Sequence, residues 1–384
     1  MAPDHLRDQF PIVERGVYCN HAAIAPWPSN TAEAVQRFAA ENAQLGPAHY
    51  AQWIRLENEL REQLALLIGA SSSRDIALLK NTTEGISTVA WGLDWMPGDN
   101  VVLPAGEFPS NRLPWLAQAE RGVEIREVDI RSSAHAESAL LEAVDARTRL
   151  LAVSAVHWND GFRLDLHSLG TACKSGGVLF FVDAIQQLGA LRLDVQACHI
   201  SFLAADAHKW LLGPEGIAVF YSSADARPLL RLRQVGWHMF DQPFSFGRTE
   251  WTPADSARRF EAGSPNTLGQ VALQTSLELL LATGMEEIER RVLANSAALI
   301  DGLGRIPGIH VVSRVEIPRR SGIVSFRSGS MPANLVHAAL MRAGVTSAVR
   351  DEAIRLSPHF YQGNAEIDRV LAAVRLAVVN PGAD

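Results

Sequence analysis

The chain carries 35 basic residues, yet only three are lysines, Lys80, Lys174 and Lys209, and these are the amines that could do covalent chemistry. A solvated cation tolerates exchange of lysine for arginine. A nucleophilic amine does not, because a guanidinium forms no Schiff base. Lys174 lies in TACKSGG, which reads as an exposed helix end where a cation is favourable. Lys80 ends DIALLK, and a surface strand end accounts for it. Lys209 differs, with AADA near it on one side and WLLG on the other. Apolar flanks desolvate an amine and favour its neutral, nucleophilic form. Taken alone, Lys209 also reads as a lysine snorkelling out of a loop.

The elements that must position Lys209 are three apolar runs between Val178 and Tyr221, namely VLFFV, ISFLAA and GIAVFY. Their near-continuous hydrophobicity suits strands covered on both faces of a sheet. Asp183 closes the first run and His208-Lys209 follow the second, where an open α/β sheet presents its ligand-facing groups. Upstream, Ser29 opens a helix to about Leu45, and YAQWIRLENELREQLALLIG continues at helical spacing to Gly69. DIALLK is a strand, and Asn81-Thr82-Thr83-Glu84-Gly85 opens a helix expected to reach about Trp95. A strand, a turn and a helix N-terminus make an anion site, although an ordinary cap by Thr82 or Thr83 with Glu84 explains the same residues. DNVVLP, GVEIREVDI and RLLAVSAV are further strands, and a helix from about Ala136 to Val144 gives the βαβ alternation of a parallel sheet. From about Gly284 the order helix, strand, strand, helix, strand, helix marks a smaller α+β domain.

Length and composition bound the rest. With 384 residues, 47% of them hydrophobic, the chain supports one large and one small domain. A net charge of −7 with scattered arginines leaves no nucleic-acid footprint. Cys19, Cys173 and Cys198 show no paired spacing, so neither a disulfide framework nor a metal site is expected. No apolar run has signal-peptide or membrane-spanning form, which points to the cytoplasm. A dinucleotide-binding dehydrogenase would also alternate strands and helices, but no G-x-G-x-x-G occurs.

Asp183-Ala184-Ile185-Gln186, then His208-Lys209, then Gly213-Pro214-Glu215-Gly216 together resemble the class V aminotransferase and cysteine desulfurase family of pyridoxal-phosphate enzymes. The resemblance implies a fold-type I architecture. That is an α/β large domain with a mostly parallel sheet of the seven-stranded type (21–262) and a small C-terminal α+β domain (263–384), with residues 1–20 packing on the latter. It implies that Lys209 forms the Schiff base with pyridoxal 5'-phosphate, Asp183 pairs with the pyridine nitrogen, Gln186 meets the ring hydroxyl and His208 the phosphate. Thr82 and Thr83 match the family's phosphate loop. Phe108 stands where desulfurases stack a histidine on the ring; a phenyl group stacks but carries no proton. Arg259–Thr267 resembles the segment whose hydroxyl, here on Ser264, reaches the phosphate of a neighbouring subunit, which implies a homodimer with shared sites. Arg355 matches the clamp on a substrate α-carboxylate. Asn20 and His21 match a segment near the substrate, although plain turn chemistry also explains them.

The sequence departs from that pattern in three places. Trp158 stands where the family has an asparagine, with Asn159 one later and His157 one earlier. Asp206 replaces a serine near the phosphate, so it is expected to meet another donor. Gly344–Arg350 contains no cysteine where desulfurases carry a mobile thiol. The implied activity is an aminotransferase acting on an amino acid. The alternatives are a C–S (β/γ) lyase or desulfurase-like activity, or a racemase resembling isopenicillin N epimerase. The segment 227–256, rich in Trp, Phe, Pro and Gly, is expected to cover the site or to form a dimer contact.

Overall fold

A strand covered on both faces needs unbroken apolar sequence. In the computed structural model of the chain, which describes residues 4–131, 133, 135–247 and 249–379, such runs form the main sheet. Its strands are β1 (Ile76–Leu79), β2 (Asn100–Pro104), β3 (Glu124–Val128), β4 (Thr148–Ser154), β5 (Leu179–Asp183), β6 (Phe202–Asp206) and β7 (Ala218–Ser222). They lie in the order β1-β7-β6-β5-β4-β2-β3. Neighbours are parallel except around β7, which runs antiparallel to β6 and β1. The chain thus forms the expected seven-stranded, mostly parallel sheet. The reversal at β7 matters for the site, because an antiparallel neighbour needs only a short connection, and that connection carries His208 and Lys209.

Helices α1 (Ser29–Leu45) and α2 (Tyr50–Ile68) span the expected ranges. Helix α3 (Thr82–Gly92) stops short of Trp95, because Leu93 turns extended and the Trp95 indole N–H donates to the Ala90 carbonyl at 2.7 Å. That bond satisfies one of the carbonyls left open at a helix end. Helix α4 (Leu166–Gly176) covers the sheet between β4 and β5 in sequence.

Helices α5 (Thr267–Thr283) and α6 (Met285–Gly304) lead into the second lobe. There β8 (Ile309–Val311), β9 (Val324–Ser328), β10 (Ala348–Arg350) and β11 (Ala353–Leu356) form an antiparallel sheet in the order β10-β11-β9-β8. Helices α7 (Ala333–Arg342) and α8 (Asn364–Val379) complete it. The boundary expected at 262/263 is not where the cores divide. Leu273, Leu277 and Leu280 of α5, with Ile288 and Val292 of α6, lie in the large core, whereas Leu299, Ile300 and Leu303 lie in the small one. The change therefore falls inside α6. Val17–Tyr18 pairs in parallel with Val345–Thr346, which fixes the N-terminal segment to the small lobe. Phe10, however, stacks on Tyr361 in the large core. Among the described residues no helix is long and apolar enough to cross a membrane.

Candidate active site

Lys209 sits in the β6–β7 connection, whose backbone is tied by Gly213 N–H to Ala207 O at 2.9 Å and Leu212 N–H to Lys209 O at 3.1 Å. Leu212 has φ +60°. A left-handed conformation costs a non-glycine residue about 1–2 kcal/mol, and the complete burial of Trp210, Leu211 and Leu212 offsets it. The lysine backbone is therefore held still while its side chain enters a cavity of about 510 Å³, within the range of small-molecule sites.

Asp183, Gln186, His208, Thr82, Thr83, Phe108 and Arg355 line the same cavity as Lys209. The amine lies 5.7 Å from the centre of the Phe108 ring. Burial pushes the Lys209 pKa down, the Asp183 charge opposes that shift, and Arg355 adds to it. Asp183, at the carboxyl end of β5, is pushed up by burial and by Glu107, against a hydrogen bond from the Ile185 N–H at 3.0 Å. Gln186 is fixed at both ends of its amide: it donates to Ala22 O at 3.0 Å and accepts from the Trp210 indole N–H at 2.9 Å. An indole only donates, so the amide orientation follows.

The helix N-terminus beside the cavity is arranged differently from the expectation. Its cap is Asn81, whose side chain accepts from Glu84 N–H at 2.8 Å, while Glu84 accepts from Lys80 N–H at 2.6 Å. Thr82 is already spoken for. Its N–H and hydroxyl donate to Asp206 at 3.1 and 3.2 Å, and its oxygen accepts from Asp206 N–H at 2.9 Å. Asp206 thus meets protein donors, as its chemistry required. Thr83 is exposed, and its hydroxyl donates to Ser110 at 2.8 Å. Buried His208 Nδ1 makes no hydrogen bond but lies 3.7 Å from Asp206 Oδ1.

On the opposite wall Arg355 is 2% exposed and donates from Nη1 to Trp158 O at 2.6 Å, while its Nε has no partner. Burial, and then Arg350, push its pKa down. Trp158 donates its indole N–H to Gly106 O at 3.0 Å and sets its ring edge-on to Phe108, 5.8 Å away. His157 pairs with Asp160 at 2.8 Å and does not line this cavity.

Three expected residues stand elsewhere. His21 bridges Ser357 O at 2.8 Å and the Tyr361 hydroxyl at 2.9 Å, fully buried, and the cavity is lined instead by Ala22, Ala23 and Ile24. Asn20 forms a bridge with Ser357 and is likewise outside the lining. Ser264 is exposed, beside a neighbouring recess with Lys80, Glu84 and Gly216. None of the described residues of 227–256 lines the cavity, so within one chain that segment is no cover; Phe244, Phe246 and Trp251 are exposed on it. Sequence reasoning missed Glu107 and Arg350. Glu107 is buried, accepts from Ser154 N–H at 2.6 Å, and its pKa is raised by burial. Its one signal was an acid directly before Phe108 in a strand-end loop.

The site gathers at the carboxyl ends of parallel strands, where open α/β sheets bind ligands. The exposed hydroxyl-bearing helix end at Thr83, the stacking ring of Phe108 and a lysine facing an acid fit a flat, anionic, aldehyde-bearing cofactor, and the unpartnered Nε of Arg355 is left for an anionic substrate group. Fold and site together define a pyridoxal-phosphate enzyme. The family model described as Aminotransferase class-V matches residues 17–370, and the chain belongs to that family. It is 31% identical over 336 residues to a probable cysteine desulfurase of Methanothermobacter thermautotrophicus, covering 86% of this chain and 82% of that one. It is 27% identical to an uncharacterized aminotransferase of Schizosaccharomyces pombe, covering 98% and 96% of the two chains. Among solved structures, the cystine C–S lyase C-DES in complex with its product cysteine persulfide superposes with a TM-score of 0.88 at 26% identity, covering 96% of this chain and 99% of that one.

Proposed function

We propose that the chain is an aminotransferase acting on an amino acid, with Lys209 as the base. The lining of the cavity carries this reading. The ring facing Lys209 is Phe108, which moves no proton, and no thiol lines the cavity: Cys19 and Cys173 are buried and Cys198 is half-buried elsewhere. A desulfurase that hands sulfur to its own cysteine lacks its acceptor here.

When bound, pyridoxal phosphate supplies an aldehyde that condenses with amines and a ring that withdraws electrons. Asp183 would hold negative charge against the ring nitrogen, Gln186 would orient the ring edge, and Phe108 would cover its face. Thr83 and His208 would meet the phosphate, Thr82 having been committed to Asp206. Arg355 would take the substrate α-carboxylate through its free Nε and remaining Nη2. Lys209, whose ammonium is made easier to deprotonate by burial, would remove the proton at the substrate Cα and deliver it to the cofactor's aldehyde carbon, on the far side of the substrate nitrogen. The exposed Ser264 is read as serving a second copy of the chain in a homodimer.

The C–S lyase reading has its own support, because a lyase releases its product without a protein thiol and the C-DES structure is a close match in fold. The test is to add single L-amino acids, without a keto-acid acceptor, to cofactor-loaded protein. Transamination converts the cofactor to its amine form with one keto acid formed per site and then stops. Continuous release of ammonia and keto acid with the cofactor unchanged would overturn it in favour of the lyase.

A further inference from the structure

The cavity holds a second guanidinium that the chemistry above leaves idle. Arg350 lines it together with Arg355, and both belong to the β10–β11 hairpin. The register pairs Ala348 with Arg355 and Arg350 with Ala353, so the two arginines are diagonal neighbours on one face. Such neighbours stand about 7–8 Å apart. The turn between them is only Asp351-Glu352, both at positive φ, 44° and 61°, which matches the tightest hairpin connection. It is pinned to the rest of the chain by Asn159 Nδ2 donating to Asp351 Oδ2 at 2.6 Å and by Arg327 donating to Asp351 O at 2.9 Å. The positions from which the two side chains leave the sheet are therefore set by the backbone.

Neither arginine has a carboxylate partner among the described residues. Arg350 donates to Val349 O at 2.8 Å and Arg355 to Trp158 O at 2.6 Å, both neutral carbonyls. The acids of the cavity lie elsewhere: Asp206 is held by Thr82, Asp183 faces the Ile185 N–H, and Glu215 is exposed. Two like charges confined on one wall repel, and a buried guanidinium without an anion is costly. One α-carboxylate answers Arg355 and leaves Arg350 without a counter-charge.

We propose that the substrate is an amino acid whose side chain ends in a second oxyanion, a carboxylate or sulfinate, and that Arg350 binds that group. This rests on the amino-acid reading above. In it Arg355 orients the reacting end, and Arg350 selects the side chain by charge and reach.

The test begins with binding alone. Calorimetry on cofactor-loaded protein compares succinate and glutarate with butyrate, at fixed ionic strength. The dicarboxylates are expected to bind at least about tenfold more tightly, since a charge-assisted contact is worth at least that factor. Arg350→Met should erase the difference and Arg350→Lys restore part of it, with circular dichroism and retained cofactor absorbance showing that each variant is folded. L-Aspartate, L-glutamate and L-cysteine sulfinate are then compared with L-asparagine, L-glutamine and L-alanine, and the same tenfold preference in kcat/KM is expected. The carboxylate and sulfinate arms tell which oxyanion the site takes. Equal binding of succinate and butyrate, or a preference that survives Arg350→Met, overturns the proposal. Arg350-dependent binding of aspartate without formation of the amine form upholds it while removing the transamination reading. Conversion of all six amino acids alike overturns it and leaves transamination standing.

Discussion

At the scale of residues, burial and charge act on Lys209 in opposite directions: desolvation favours the neutral amine, and Asp183 favours the ammonium. Desolvation dominates. The neutral amine attacks an aldehyde, and its fraction grows as pH rises through a lowered pKa. Capture of pyridoxal phosphate by cofactor-free protein, followed by stopped-flow absorbance, should therefore accelerate with pH about a midpoint well below that of a free lysine, roughly 10.4. Asp183→Asn removes the charge that stabilises the ammonium and should move the midpoint lower still. A midpoint at the free-lysine value would contradict the account. Lys209, Asp183 and Gln186 were legible in the sequence because each stands at the edge of an apolar run long enough to be a buried strand. The Thr82–Asp206 pair was not, since its partners lie 124 residues apart and only the fold joins them. His21 was misplaced for a related reason. A loop sequence does not say which way a ring turns, and here it turns into the core against Trp210 and Tyr361.

At the scale of elements, the site depends on how closely α3 approaches the sheet. A Cβ on Gly85 would lie 2.7 Å from Ala204 Cβ and 3.1 Å from the Phe220 ring, so the glycine is what lets the helix N-terminus reach the end of β6. Gly85→Ala should lift α3, lower stability by about 1–3 kcal/mol through overpacking, and weaken cofactor binding roughly tenfold as the helix N-terminus retreats. Thermal melting and equilibrium cofactor titration read the two effects, and an unchanged affinity would show that the helix end does not hold the phosphate. Strands and helices were largely readable from hydrophobic period. The ends were less so: Leu93 leaves the helix early because a neighbouring indole caps it. The actual cap is Asn81, a residue type preferred over threonine there, whereas sequence reasoning looks to the two threonines that follow it.

At the scale of the whole molecule, the cavity is assembled from both lobes. Lys209, Asp183 and Phe108 come from the large sheet and its loops, whereas Arg350 and Arg355 come from a hairpin of the small sheet. Arg355 donating to Trp158 O and Asn159 donating to Asp351 join the halves. A second buried network, Arg61 donating to Glu261 at 2.7 Å and Glu261 accepting from Leu78 N–H at 2.9 Å, ties α2 to β1 and to the approach to α5. The order of strands and helices was readable as an α/β domain followed by an α+β domain. Their division was not, because α6 carries one continuous apolar stripe whose first half packs in the large core and whose second half packs in the small one, and sequence period alone does not reveal that change of partner.

With only three lysines in the chain, one experiment addresses the central claim directly. Cofactor-loaded protein is reduced with borohydride, digested and mapped by mass spectrometry. The account predicts loss of the absorption at the edge of the visible and a pyridoxyl-phosphate adduct on the peptide containing Lys209, with none in Lys209→Ala. An adduct on Lys80 or Lys174, or no adduct on a protein saturated with cofactor, would contradict it.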